Sequence, residues 1–228
     1  VTDYHCPLLS LPLALDIGLD SIPAEPAYLH ADPERIATWS ARLGPRQRPR
    51  VGLVWSGNPS HKNDRYRSIP LEIFARFAAG PFDFVCLQKE IRAADRPVLQ
   101  QRPDIRVFCD ALEDFDDTAA LIQHMDVVIS VDTSIAHLAG ALGRPVWVLL
   151  PFVPDWRWLL DRDDSPWYPT ARLFRQPQID DWDSVLARVS QALAATNFPA
   201  AAPETFARAV SVVRAGAVDR PANAAFRE

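Results

Sequence analysis

The sequence of 228 residues lacks the common motifs of nucleotide-binding and hydrolase sites. It contains no Gly-x-Gly, which excludes the dinucleotide-binding fingerprint, and it has no P-loop. The Gly-x-Ser-x-Gly motif of serine hydrolases is also absent. No internal repeat is visible, so the chain is not expected to form a solenoid or a propeller.

Cysteine, clustered positive charge and long apolar runs are also scarce. The three cysteines Cys6, Cys86 and Cys109 have no zinc spacing, and two lie in apolar strand-like runs, which favours buried free thiols in a reducing compartment. The net charge is −5 and no basic stripe is present, so we do not expect nucleic acid as a partner. No apolar run approaches the roughly 20 residues that span a bilayer, and no signal peptide is visible. We therefore expect a cytoplasmic protein without a transmembrane segment.

The most informative stretch combines a buried strand, a helix start and a second strand. Val127–Val131 is apolar and rich in β-branched residues, which is typical of a strand buried on both faces of a parallel sheet. Asp132, Thr133 and Ser134 follow, and all three residue types cap helix N-termini. Apolar residues then recur at helical spacing up to Gly143, and a second apolar run covers Val146–Leu150. The pattern predicts a strand–helix–strand unit with a right-handed connection.

Similar alternation along the chain predicts an α/β fold, a Rossmann-like parallel sheet with helices on both faces. The predicted strands are 51–55, 82–87, 105–108, 127–131 and 146–150, with a candidate edge strand at 171–174. The predicted helices include 33–43, 70–79, 114–124 and 181–195, whereas 56–68 is predicted to be a long polar loop and 1–30 to be irregular. Residues 196–228 are rich in Ala and Pro, which favours partial disorder.

Three polar segments follow predicted strands and should therefore share one edge of the sheet, where ligands bind in open parallel sheets. They are 56–68, 88–90 and 132–137. Basic side chains, hydroxyls and the amides of a helix N-terminus together favour a diphosphate. The candidate phosphate-binding residues are Ser56, Asn58, Arg65, Arg67, Asp132, Thr133, Ser134 and His137; His61 and Lys62 lie in the same loop, and Lys89 and Glu90 are candidates for ribose or base contacts.

Each of these features also has a purely structural interpretation. Asp132 or Thr133 could serve only as a helix cap while His137 packs against the sheet. The acidic runs 113–117 and 180–183 begin predicted helices, where capping explains them, so no metal site is predicted. The tryptophans after Pro151 could stack on a base or a sugar ring, or pack in the core or a lid.

The stretch from Thr118 to Pro145 resembles the donor-binding signature of heptosyltransferase-like enzymes of glycosyltransferase family 9. The family pattern is Asp-Thr-Gly-x-x-His before an apolar helix, and Asp132, Thr133 and His137 match it, with Ser134 in place of Gly. Ser56 stands at a hydroxyl position of the family's earlier loop, Arg67 replaces its Lys, and Glu90 fits its acidic ribose-binding position. The phrases Trp-Ser-Gly-Asn-Pro and Phe-Val-Pro-Asp-Trp-Arg-Trp are similar to those of bacterial tetratricopeptide-repeat proteins that carry such a domain.

This resemblance implies the C-terminal half of a two-domain GT-B glycosyltransferase. It implies a nucleotide-diphosphate sugar as donor substrate, no cofactor, no metal, and a saccharide or protein acceptor. We expect 1–48 to be a linker or the end of a preceding domain, 49–195 the nucleotide-sugar-binding domain, and 196–228 a tail. In this family the N-terminal half supplies the catalytic base, so we expect a fragment that binds donor without transfer. The alternatives are a non-catalytic nucleotide-sugar-binding module and a sugar-nucleotide epimerase.

Overall fold

The computed structural model of the chain describes residues 5–199. The helices are α1 Leu11–Ala14, α2 Pro33–Leu43, α3 Asp64–Arg67, α4 Leu71–Phe74, α5 Arg96–Gln100, α6 Phe115–Ile122, α7 Ser134–Ala141 and α8 Trp182–Ala195. The strands are β1 Arg50–Val54, β2 Asp83–Cys86, β3 Ile105–Val107, β4 Val127–Val131, β5 Val146–Leu150 and β6 Ala171–Arg175. Most of the predicted tail, from residue 200 onward, lies outside the described residues. Within residues 5–199, no helix has both the length and the apolar character needed to cross a membrane.

The six strands form one parallel sheet in the order β3-β2-β1-β4-β5-β6. In the centre, Gly52 of β1 pairs with Val85 of β2 on one side and with Val128 of β4 on the other. All five predicted strands are present within one or two residues, and the candidate edge strand is β6. The predicted parallel α/β fold is therefore confirmed.

Helices cover both faces of the sheet because residues along each central strand alternate between two apolar layers. Leu53 and Ile129 belong to the cluster that includes Phe74 of α4 and Val185 of α8. Val54 and Val128 belong to the opposite cluster, which includes Trp39 of α2 together with residues of α6 and α7. Burial on both faces explains why β1, β4 and β5 are buried over their whole length.

Several local predictions were wrong. The predicted helix 70–79 ends at Phe74, and the next residues form turns, with the guanidinium of Arg102 donating to the carbonyl of Ala75 at 2.6 Å. The loop 56–68 contains the single-turn helix α3, and the supposedly irregular start contains short helices from Leu8 onward. Cys86 is buried as predicted, but Cys109 begins a short 3-10 turn and is only partly buried.

The order of the strands determines where a site can form. The chain order reverses between β1 and β4, so the connections that follow these two strands diverge to opposite faces of the sheet. This divergence leaves a crevice beyond the carboxyl ends of the two strands, which is where open α/β sheets bind ligands. The segment after β1 and the start of α7 both emerge at this crevice.

Candidate functional site

A cleft of about 690 Å³ lies beyond the carboxyl ends of β1, β4 and β5. The segments that follow these three strands, together with the segment that follows β6, form its walls. The lining residues are His61, Asn63, Tyr66, Arg67, Asp132, Thr133, Ser134, His137, Pro151, Phe152, Val153, Pro154, Asp155, Arg157, Gln176, Ile179 and Asp180. The structure therefore brings together five of the eight predicted phosphate-binding residues.

The N-terminus of α7 opens into this cleft without a side-chain cap. Thr133 occupies the N-cap position in an extended conformation, but its side chain makes no capping hydrogen bond. Its hydroxyl lies 3.1 Å from that of Ser130, which donates to the carbonyl of Val131 at 2.7 Å. Thr133 is therefore the donor to Ser130, and its proton is turned away from the cleft. The exposed hydroxyl of Ser134 and the first amides of α7 are the groups left to meet a ligand.

Arg67 connects the loop after β1 to the segment after β4. Its Nη1 donates to the carbonyl oxygen of Asp132 at 2.8 Å. The guanidinium lies against Gly57, where a Cβ atom would come within 2.6 Å of Nη2. A side chain at position 57 would therefore displace Arg67 from the cleft wall.

An ion pair between the buried Asp64 and the partly exposed Arg92 holds this loop in place. Asp64 of α3 is buried and accepts from Arg92 at 2.6 Å and from the hydroxyl of Ser68 at 2.7 Å. Arg92 also donates to the carbonyl of Gly57 at 2.9 Å. Sequence reasoning missed Arg92, since nothing local distinguishes it from a surface arginine.

His137 faces the cleft from the first turn of α7. Its ring stacks on Trp158 with 5.1 Å between centroids and 19° between planes. Nδ1 lies 3.0 Å from the hydroxyl of Tyr168, and Nε2 lies 3.7 Å from a carboxylate oxygen of Asp132. Burial lowers the pKa of His137, although the carboxylate of Asp132 partly opposes the shift. The imidazole is therefore neutral near pH 7 and lies at the cleft rather than wholly in the core.

The segment after β5 supplies a further wall of the cleft. Sequence reasoning considered only the tryptophans of this segment for ligand contact, and none of them is in the lining. Asp155 accepts from the backbone amide of Arg157 at 3.1 Å and from its guanidinium at 2.8 Å. Gln176, at the end of β6, accepts from the amide of Phe152 at 3.0 Å and holds this segment to the sheet. The available signal was the phrase Phe152–Trp158 itself, because it follows a parallel strand and must leave the same edge.

Ser56 lies beneath the cleft rather than in its lining. The side-chain oxygen of Gln88 accepts from the amides of Trp55 and Ser56 at 2.8 and 3.0 Å. The nitrogen of the same side chain donates to the Ser56 hydroxyl at 3.1 Å. Gln88 thus fixes the backbone where β1 ends.

Four other predicted residues also lie outside the lining. Asn58 is exposed and accepts from the amide of Ser60 at 2.9 Å, while the guanidinium of Arg65 lies over the ring of Tyr66. Lys89 donates to the carbonyl of Glu113, and Glu90 is exposed after β2. The acidic runs cap helices, since Asp114 accepts from Asp117 N and Asp181 from Ser184 N. Ligand contacts by Asn58, Arg65, Lys89 and Glu90 stay predictions.

Comparisons with known proteins point to one family. Residues 111–149 match the model of Glycosyltransferase family 9 (heptosyltransferase). Over this stretch the chain is similar to the heptosyltransferases of glycosyltransferase family 9. The matched stretch contains α6, β4, α7 and most of β5, and with them Asp132, Thr133 and His137.

Two known proteins that the chain matches are longer than the chain itself. The chain is 30% identical over 199 residues to Protein FlbA of Caulobacter vibrioides, a match that covers 84% of this chain and 33% of FlbA. The structure of E. coli ADP-heptose lps heptosyltransferase II matches with a TM-score of 0.50 and 19% identity, over 73% of this chain and 52% of that one. This second likeness supports the fold alone. The chain spans about a third of the length of FlbA and about half of the E. coli enzyme.

The match to the family 9 model supports a glycosyltransferase-like function and does not favour the epimerase alternative that the sequence left open. The association with tetratricopeptide repeats, the cytoplasmic location and the domain boundaries stay predictions.

Proposed function

We propose that the cleft binds the diphosphate of a nucleotide-diphosphate sugar, and that residues 49–195 are the donor-binding part of a metal-independent glycosyltransferase. One observation carries this proposal. The uncapped N-terminus of α7 and two guanidinium groups, those of Arg67 and Arg157, converge on one cleft at the reversal of strand order. Amides at a helix N-terminus and planar guanidinium donors are the groups that proteins use for phosphates.

The groups in the cleft divide by charge. Amides of the first turn of α7 and the hydroxyl of Ser134 suit phosphate oxygens. Arg67 donates one proton to the carbonyl of Asp132, and other N–H groups of its guanidinium can bind a phosphate. The carboxylate of Asp132 repels phosphate and suits a hydroxyl of the ribose or of the transferred sugar. Arg157 is held by Asp155 at the opposite wall, from which its guanidinium can meet the second phosphate.

The proposed partners follow from the same chemistry. The donor is the substrate, so no separate cofactor is required, and the acceptor is a saccharide or a protein. Transfer needs a general base within hydrogen-bond reach of the acceptor hydroxyl, which is worth about 10²–10⁴ in rate. The base is unknown; in the architecture this domain resembles, it comes from the N-terminal half across the cleft.

The binding proposal is tested by calorimetry and thermal denaturation with ADP-, UDP- and GDP-sugars. A ligand present at about 100 times its Kd adds about 2.7 kcal/mol to the free energy of unfolding, so one nucleotide series should raise Tm clearly. His137→Ala should weaken binding of that ligand by about 1–3 kcal/mol, as for a lost buried hydrogen bond. Tm values that no nucleotide moves would contradict the proposal, and a His137→Ala variant that loses stability but keeps affinity would assign His137 to packing.

A second experiment tests whether the polypeptide of residues 1–228 transfers sugar by itself. Release of nucleoside diphosphate is followed with a donor that the polypeptide binds and with candidate saccharide and protein acceptors. We expect binding without turnover for the polypeptide of residues 1–228, because positioning of the acceptor is worth about 7–11 kcal/mol in such reactions. Turnover at rates near the usual 1–10³ s⁻¹, roughly, would show instead that the base lies within this polypeptide.

A further inference from the structure

Tyr168 lies directly behind His137, on the side away from the cleft. Its hydroxyl is 3.0 Å from His137 Nδ1, and its ring lies against α7 at Gly140. A Cβ atom at position 140 would come within 2.5 Å of the Tyr168 ring, so glycine is required for this close approach. Trp158 covers the face of the imidazole. The ring of His137 is therefore held by contacts that involve no ligand.

A second tyrosine, Tyr28, lines the same hollow as Tyr168 and His137. Tyr28 is anchored to α7, because its backbone amide donates to the carbonyl of Ala141 at 3.1 Å. Burial raises the pKa of Tyr168 far above neutrality, so its phenol keeps its proton at any pH at which the protein is studied.

The direction of the hydrogen bond between Tyr168 and His137 follows from the negative charge on the other side of the imidazole. His137 Nε2 lies 3.7 Å from the carboxylate of Asp132. A lone pair on Nε2 would face that negative charge, whereas an N–H dipole is attracted to it. The neutral imidazole therefore carries its proton on Nε2 and accepts at Nδ1. The only proton of Tyr168 is then donated to Nδ1.

We propose that Tyr168 is a positioning residue that orients His137 and keeps its proton on Nε2, so that an uncharged N–H donor faces the cleft. The role of this donor rests on the proposed function, in which a phosphate or sugar oxygen of the donor accepts from it. The arrangement itself is a property of the ligand-free protein. It can therefore be tested whether or not a nucleotide sugar is the ligand.

The first test is imidazole ¹⁵N NMR of the ligand-free protein at several pH values, with His137 assigned by comparison with His137→Asn. We expect the wild-type proton on Nε2. In Tyr168→Phe the midpoint of His137 titration should rise, because the hydrogen bond that Tyr168 donates stabilises only the neutral ring. The other groups that face the ring, Asp132, Asp155, Arg157 and Tyr28, are unchanged in this variant.

Tyr66→Phe is the matched control, since it removes a tyrosine hydroxyl that lines the cleft and leaves Tyr168 in place. It should leave the His137 midpoint unchanged. A wild-type proton on Nδ1 would overturn the proposal, because Tyr168 would then accept rather than donate. A midpoint that falls or stays constant in Tyr168→Phe would overturn it as well.

The second test is a double-mutant cycle on affinity, with the nucleoside diphosphate that the wild type binds best as probe. Tyr168→Phe should weaken binding about three- to tenfold, the range of one neutral hydrogen bond. In a His137→Ala background the same change should have no further effect, because Tyr168 acts through His137. An equal loss in both backgrounds would overturn the positioning role. Absence of binding by every nucleoside diphosphate would count against the proposed function, and the NMR result would still decide the role of Tyr168.

Discussion

The polar segments that follow β1 and β4 line the cleft, whereas the segment that follows β2 does not, although all three leave the same edge of the sheet. Arg67 and Asp132 meet across the cleft wall at 2.8 Å. Lys89 instead reaches the carbonyl of Glu113, and Glu90 points to solvent. The difference follows from strand order, because β1 and β4 are neighbours at the reversal and β2 lies one position further out.

The segment after β2 nevertheless contributes through its first residue. Gln88 is buried and holds the backbone at the end of β1 through three hydrogen bonds to Trp55 and Ser56. The segment after β2 therefore supports the site, while the segments after β1 and β4 form it. Polar residues after a strand indicate the edge of the sheet at which a site can form. Whether they line that site depends on which strands are neighbours in the sheet.

The largest expected effect tests the supporting role. Gln88→Leu leaves two buried amides without an acceptor and should lower the free energy of unfolding by about 2–4 kcal/mol, measured by urea denaturation. Gln101→Leu is the matched control at an exposed position and should change stability by no more than about 0.5 kcal/mol. Equal effects of the two substitutions would contradict a special role for Gln88.

The next effect concerns affinity at the cleft. Arg67→Ala should weaken nucleotide-sugar binding by about 1.5–3 kcal/mol, as for a hydrogen bond to a charged group, and the loss should be larger at low salt. Arg65→Ala is the control, because this side chain lies over Tyr66 outside the lining. Calorimetry at two ionic strengths measures both. If Arg65→Ala weakens binding as much as Arg67→Ala, the tip of the loop rather than the cleft wall meets the phosphates.

The pH dependence of the free energy of unfolding should show an effect of intermediate size. This effect depends on His137, which follows β4. Burial lowers the pKa of His137 below the ordinary value of 6.5, so the unfolded chain binds its proton at higher pH than the folded chain. The contribution of neutral His137 to stability is therefore complete above pH 6.5 and is lost as the pH falls through the folded-state pKa. Urea denaturation across this range should show a steeper acid decline for the wild type than for His137→Asn. Parallel profiles would contradict the lowered pKa.

The smallest effects are expected after β2. Lys89→Ala and Glu90→Gln should each change nucleotide-sugar affinity by no more than about 0.5 kcal/mol, the range of exposed positions away from a site. Calorimetry under the conditions used for Arg67→Ala measures them. A loss of tenfold or more for Glu90→Gln would restore it as a ribose contact and would mean that the donor extends past β1 to the exit of β2.

Much of the fold could be predicted because its signals are local. β4 and β5 begin and end at the predicted residues, since fully buried parallel strands are apolar without interruption. The helix predicted over 70–79 ends at Phe74, and the turns that follow it include carbonyls that accept from Arg102, a residue distant in sequence that no local pattern links to them. For the site, the helix-capping residue types at 132–134 correctly predicted the start of α7. They could not show that the Thr133 hydroxyl faces Ser130.

By itself the sequence determined the parallel α/β class, the start of α7 and the edge of the sheet at which polar segments gather, because strand burial and helix starts depend on neighbouring residues. Only the tertiary structure decided which segments meet. Contacts such as Arg67 with Asp132 and His137 with Tyr168 join residues far apart in the chain. They exist because strand order places β1 beside β4 and because Gly140 admits a ring against α7, and neither fact follows from any local pattern.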